Sequence, residues 1–256
     1  MNEKLTASSN PLIKRIKTLS GARGRRDAGA FLVEGEVMIR EALSSALTPR
    51  WALSEEECAL TDDLRALGAD VRLCTRGVLE AACDTKTPQG VCAVFSLPAA
   101  AALSGDAPLL LALDGVQDPG NLGTILRTAD AAGFCGALLS PLCADVYAPK
   151  VQRAAMGSTF RVPTQRCALP EALASLKTRG CRIIVSALDG LNLDARPVCA
   201  PNDRLVLVIG SEAHGVSGEV MRLADVMVKI PMRGRAESLN AAVAAGILMY
   251  ELTRPR

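Results

Sequence analysis

The sequence predicts an α/β protein built as two layered domains, and three observations carry that prediction. Short apolar runs suited to strands alternate with helical stretches along the 256 residues. Apolar residues make up 49% of the composition and aromatic ones only 3%, so the core is made of small aliphatic side chains. That suits tight layers of helix on sheet better than an all-β sandwich. The low-information stretch AAAALSGDAP interrupts the alternation after Pro98 and marks a boundary. The expected division is a small α/β domain over 1–97, a linker over 98–107 and a parallel-sheet domain over 108–256.

Within the first domain, Asn10 to Ser20 is a helix candidate with Leu12, Ile13, Ile16 and Leu19 on one side and Lys14, Arg15 and Lys17 around it. The following GARGRR reads as flexible and cationic. Net charge over the whole chain is only +2, but Lys4, Lys14, Arg15, Lys17, Arg23, Arg25 and Arg26 face a single acid, Glu3, before residue 27. This segment is either a solvated surface loop or an arm that contacts phosphates. FLVEG, RWALS, DVRLC and VCAVFS then read as strands, interleaved with helices over 36–47, 55–67 and 76–83.

From Leu109 the pattern restarts. LLLALDG is a buried strand, followed by the loop VQDPGNLG and a helix over 124–132. GALLS, RIIVSALDG, LVLVIG and VMVKI are further strands, with helices over 149–157 and 170–179. Continuously apolar short strands alternating with helices indicate a parallel sheet covered on both faces. Ligands of such sheets bind beyond the carboxyl ends of the strands. Four Gly- and polar-rich loops are expected there: 114–123, 187–191, 210–215 and 231–238.

The last stretch, Ile230 to Leu252, combines a strand end, a polar loop and a helix entered through Ser238 and Asn240, residue types that cap helix N-termini. Leu239, Val243, Ile247 and Tyr250 make an apolar stripe at helical spacing. The opposite face of Ala241, Ala242, Ala244, Ala245 and Gly246 is small enough for another backbone to press against it. It reads either as a well-capped terminal helix or as a ligand-binding corner.

Several chemistries are excluded. The nine cysteines form no C-x-x-C pair and His214 is the single histidine, so no zinc spacing exists. MNEKLTASSN has no apolar signal region and no run approaches transmembrane length, so a reduced cytoplasmic chain is expected. A dinucleotide site would need G-x-G-x-x-G after the first strand, but the glycines fall at 115, 120 and 123. No G-x-S-x-G supports a serine hydrolase.

Three segments, LDGVQDPGNLGTILRTADAAGF (113–134), LVIGSEAHGVS (207–217) and IPMRGRAESLNAAVAAGILMYEL (230–252), resemble the signature motifs of the SpoU/TrmH RNA ribose methyltransferases of the SPOUT class. YAPKVQRAAMGSTFRVP (147–163) is similar to the family's connecting segment, and residues 10–43 resemble its fused, ribosomal-protein-like RNA-binding domain. The resemblance implies a trefoil knot, a homodimer, and S-adenosylmethionine held among the late loops, with Ala187, Gly210, Ile230, Met232 and Leu239 lining the cofactor pocket. It implies Asn121, Arg127, Glu212, Ser238 and Asn240 as the polar active-site residues, and Lys14, Arg15, Arg23 and Arg25 as RNA contacts. The implied reaction is 2′-O-methylation of ribosomal RNA. Transfer RNA and a catalytically idle RNA-binding or ribosome-assembly role are the alternatives.

Taken singly, Asn121 also reads as a helix cap, Arg127 as a surface helix residue and Glu212 as a solvated loop acid. Arg127 has two possible roles, a base or a charged stabiliser of the developing alkoxide; the reluctance of a guanidinium to give up its proton favours the second. One departure stands out: Ala213 occupies a motif position that is usually glycine, which matters if that position needs positive φ.

Overall fold

The computed structural model describes residues 4–99, 103, 107–192 and 203–254, which form two compact units. The first comprises residues up to Ala99 together with Tyr147–Phe160; the second comprises Ala100–Val146 and the chain from Arg161 onward.

The first unit is a four-stranded sheet in the order β1-β4-β2-β3, from β1 (Ala30–Glu34), β2 (Pro49–Ser54), β3 (Asp70–Leu73) and β4 (Val91–Ser96). Only β2 and β3 run parallel; β4 is antiparallel to both of its neighbours. Alternation along β1 sends Ala30 and Leu32 to one core and Phe31 and Val33 to the other, so the sheet is covered on both faces. On one face pack Ile13 and Ile16 of α1 (Pro11–Thr18) and Val78 and Leu79 of α5 (Arg76–Ala82); on the other pack Ile39 of α3 (Glu36–Ser44) and Leu60 and Leu64 of α4 (Ala59–Ala66). The inserted stretch brings α7 (Pro149–Ala155) and an aromatic cluster. The Phe31 ring lies 4.6 Å from Tyr147, 6.1 Å from Phe160 and 6.2 Å from Phe95. Arg153 of α7 donates to Asp84 at 2.9 Å.

The expected flexible GARGRR is helical instead: α2 spans Ala22–Ala28 and closes on left-handed Gly29. Two residues make the turn from α1 possible. A side chain at Gly24 would meet the Thr18 carbonyl oxygen at 2.0 Å, so only glycine lets the helices approach. Arg25 is buried and donates to the carbonyls of Leu19 and Ser20 at 2.7 and 2.8 Å. Arg25 is therefore a corner clamp, and its assignment as an RNA contact is corrected.

The second unit is a six-stranded, wholly parallel sheet ordered β10-β8-β9-β5-β6-β7. Its strands are β5 (Leu109–Asp114), β6 (Ala137–Leu139), β7 (Thr164–Arg166), β8 (Arg182–Asn192), β9 (Leu205–Gly210) and β10 (Val226–Lys229). Leu110, Ala112, Val206 and Val208 pack on one face with Leu169 and Leu173 of α9 (Leu169–Thr178) and Val220 of α10 (Gly218–Met221). On β5 and β9, Leu111, Leu113, Leu207 and Ile209 alternate to the opposite side and are buried. There α11 (Ala241–Thr253) packs on β9 and on α6 (Pro119–Ala131). The expected loop at 187–191 belongs to β8, which follows β10 through a register shift until Asn192 faces Lys229.

Burial pushes the Cys74 thiol up to about 11, in keeping with cysteine serving as a small hydrophobe here. No helix among the described residues is long and apolar enough to cross a membrane, and no group of three metal-ligating side chains occurs among them.

Candidate active site

The site is built where β5 and β9 end side by side, Asp114 facing Gly210. The Asp114 carboxylate accepts from the Ser217 N–H at 2.9 Å, tying the loop after β9 to the end of β5. The chain then turns through Gly115, at φ +74, whose N–H donates to Ser140 Oγ at 2.9 Å. Asp118 caps α6 by accepting from the Asn121 N–H at 2.8 Å, and Pro119 occupies the first helical turn. That pair starts the helix five residues before the expected Thr124 and sets Asn121 at its mouth.

From there a continuous hydrogen-bond chain joins the three motifs. The Asn121 amide donates to the Glu212 carboxylate, and its carbonyl oxygen accepts from Asn240 Nδ2 at 2.9 Å. Asn240 Oδ1 in turn caps α11, accepting from Ala242 and Val243 N–H at 2.9 and 3.3 Å. Both readings of Asn121 and Asn240 thus hold for Asn240, which caps and connects at once, whereas the cap of α6 is Asp118.

The loop carrying Glu212 is fixed by backbone. Ser211 and Gly215 exchange N–H···O bonds of 3.0 and 2.9 Å, and the His214 N–H donates to Ser211 Oγ at 3.1 Å. A side chain on Gly210 would lie 2.1 Å from the Gly215 carbonyl carbon, so this turn closes only over glycine. The left-handed residue is Gly215, at φ +65; among the described non-glycine residues only Ala46 and Met156 have positive φ. Ala213 therefore carries no backbone strain, and the departure from the motif leaves the loop intact.

Arg127 and Ser238 are exposed and bond to no group among the described residues, so a single chain does not bring them into the Glu212–Asn121–Asn240 network. Arg127 lies two turns into α6, and Arg233 and Arg235 are exposed in the loop before α11. Arg233 and Arg235 thus stand open in the loop that follows β10 at this end of the sheet, a surface suited to phosphates.

Among the expected pocket residues, Ile230 and Ala187 are half-buried, the latter on β8, while Met232 and Leu239 are 37% exposed. Between Pro231 and Leu239 no backbone N–H or C=O bonds to another part of the chain among the described residues. An exposed segment with unsatisfied donors and acceptors beside two apolar side chains fits a ligand gripped through main-chain atoms.

Two residues that sequence reasoning missed hold this arrangement. Arg166 of β7 donates to the carbonyls of Ser140, Pro141, Cys143 and Ala144 at 2.8–3.0 Å, pinning the loop after β6 beneath Gly115. The strand bearing Arg166 is three residues long and carried no periodic signal. Gly190 sits so close to β10 that a side chain would meet Val228 backbone at 2.6 Å; it marks the strand pairing that the sequence reading took for a loop.

Comparison with known proteins gives the same answer as the geometry. Residues 108–250 match the SpoU rRNA Methylase family, and residues 10–93 match the MRM3-like substrate binding domain. The 23S rRNA (guanosine(2553)-2'-O)-methyltransferase RlmP of Bacillus subtilis is 35% identical over 251 residues, covering 98% of this chain and 99% of that protein. The AdoMet-bound rRNA methyltransferase from Sinorhizobium meliloti superposes with a TM-score of 0.87 at 29% identity, covering 98% of this chain and 97% of that one. The SpoU methyltransferase AviRb from Streptomyces viridochromogenes, in complex with AdoMet, gives 0.83 at 29% identity over 96% and 97%. Motif order, hydrogen-bonded loops and full-length similarity converge: this chain belongs to the SpoU rRNA methylase family.

Proposed function

We propose that the protein methylates a ribose 2′-hydroxyl in ribosomal RNA, using S-adenosylmethionine. The observation that carries this reading is the Glu212–Asn121–Asn240 chain, which locks the three motif loops together at the open end of the sheet. The relatives named for rRNA cover this chain end to end, and the substrate-binding domain accompanies the catalytic one; both favour rRNA over tRNA. An idle binding protein would have no need to retain all five of Asn121, Arg127, Glu212, Ser238 and Asn240 in its sequence.

When bound, S-adenosylmethionine supplies a methyl carbon activated by its sulfonium. Main-chain atoms of 231–239 and the side chains of Met232 and Leu239 would hold it. The ribose 2′-oxygen would bond to that methyl carbon as its carbon–sulfur bond breaks, leaving the neutral thioether S-adenosylhomocysteine, and the hydroxyl proton would pass to solvent water; an alcohol is a poor nucleophile at neutral pH. Arg127 stays charged and donates to the oxygen as negative charge develops. Asn121 and Asn240 orient the helix mouths, and Ser238 donates to or accepts from the ribose.

Arg127 and Ser238 reach their work across a homodimer interface. Leu239, just ahead of the α11 cap, and Val243, Ile247 and Tyr250 on the helix are 37–56% exposed, while Ala241, Ala242 and Ala245 of that helix are buried against their own chain. An apolar helix face of this size left in water calls for a partner, and a second copy completes the site. The knot implied by the motifs belongs to this same proposal. Val243→Lys with Ile247→Lys is expected to convert a dimer to a monomer by light scattering and to abolish activity together; a wild-type monomer with full activity would overturn the dimeric site.

The direct test is transfer of label from S-adenosylmethionine to total cellular RNA. Label in large rRNA at an alkali-resistant linkage is expected. Alkali-sensitive label would move the chemistry to a base, and label confined to tRNA would replace the substrate.

A further inference from the structure

The chain has one tryptophan, Trp51, and it sits half-buried at the rim of the first unit, with its body packed on the core shared by α1 and α5. The Arg15 guanidinium of α1 lies over this ring, its central carbon 4.4 Å from the ring centroid. Arg15 is exposed and makes no ion pair among the described residues. The acid placed opposite Trp51 in the strand register, Asp70, is already held by Arg72 at 2.7 and 3.2 Å. Lys14 and Lys17 on α1, and Arg23 and Arg26 on α2, are exposed on the adjoining helices.

We propose that Arg15, held over the Trp51 ring, is a stacking platform for an unpaired base of the RNA substrate. A cation meant only for phosphate gains nothing from being laid on an indole. A guanidinium held over a ring has lost rotamer freedom beforehand, and because Arg15 is exposed it can offer a face to a base. Bases offer that face only where they are unpaired, since in a duplex they stack on one another. The surrounding lysines and arginines supply the phosphate contacts that position the strand without reading it. The first unit therefore selects a loop or bulge, and Trp51 is a positioning residue acting through Arg15. This rests on the RNA reading above and adds which conformation of RNA is recognised.

The single tryptophan makes the test direct. Full-length protein is titrated with a single-stranded oligoadenylate and with a duplex of equal phosphate content, following tryptophan fluorescence. Saturable quenching by the single strand and none by the duplex is expected. Arg15→Lys keeps the charge but not the plane: it should weaken single-strand binding about five- to thirty-fold with an unchanged salt slope. Trp51→Phe, which keeps a packed ring, should lie between the two by anisotropy of a labelled strand. Equal quenching by duplex, or Arg15→Lys binding as tightly as the wild type, overturns the platform. Binding of S-adenosylmethionine and methyl transfer to rRNA are measured alongside. Transfer that persists with Arg15→Lys affinity unchanged defeats the platform alone; selective quenching without any transfer defeats the catalytic reading alone.

Discussion

Arg127→Ala is expected to lower methyl transfer by about two to four orders of magnitude with S-adenosylmethionine affinity unchanged. The side chain is exposed, makes no bond among the described residues and stands on a helix whose buried face is Leu122, Ile125, Leu126 and Ala129. Its removal therefore costs the fold little, and a large kinetic loss must come from the reaction. Arg127→Lys keeps a cation near the developing alkoxide but loses the planar donor fork, so a partial loss, smaller than that of Arg127→Ala, is expected. Wild-type rates in Arg127→Ala, measured at saturating RNA, would remove this residue from the site.

Gly210→Ala is the second large effect. The added carbon would be placed 2.1 Å from the Gly215 carbonyl carbon and 2.3 Å from the Val216 nitrogen, both backbone, so the turn must open. Opening it breaks the Ser211–Gly215 pair and carries Glu212 away from Asn121. A displacement of about 1 Å at such a site costs on the order of 100-fold in rate, and forcing a carbon into packed backbone costs about 1–3 kcal/mol of stability. Calorimetry with single-turnover kinetics checks both numbers. Ala213→Gly, three residues along, is the control: because Ala213 does not use positive φ, it should change stability by less than about 1 kcal/mol and leave the rate intact. If Gly210→Ala behaved like Ala213→Gly, the loop would not be a determinant of the site.

Much of this was legible because strand periodicity and polar loops are local properties. The strands of the first unit and β5, β9 and β10 follow from apolar runs, and Asn240 was recognisable as a cap from residue type and position alone. What could not be read depends on contacts between distant residues. Nothing local says that Gly24 admits a carbonyl or that Arg25 folds back onto Leu19, so a basic glycine-rich hexapeptide looked flexible. The stripe on α11 had the spacing of a core face, yet the buried face is the alanine one, because α6 brings Thr128 to within 3.6 Å of where a side chain on Gly246 would start. Periodicity gives the faces of a helix; which face turns inward is decided by how closely its neighbour can approach.

The aromatic cluster around Phe31 has a bearing on the order of events during synthesis. Two of its four rings, Tyr147 and Phe160, belong to a segment made only after the first four strands are complete, with residues 100–146 of the other unit in between. The amino-terminal sheet thus leaves the ribosome with α3 and α4 on the Phe31 face but the aromatic part of that face still open, and this part closes only once the chain has begun the second unit. Domains commonly fold in the order in which they are translated; here the first to appear is the one that must wait.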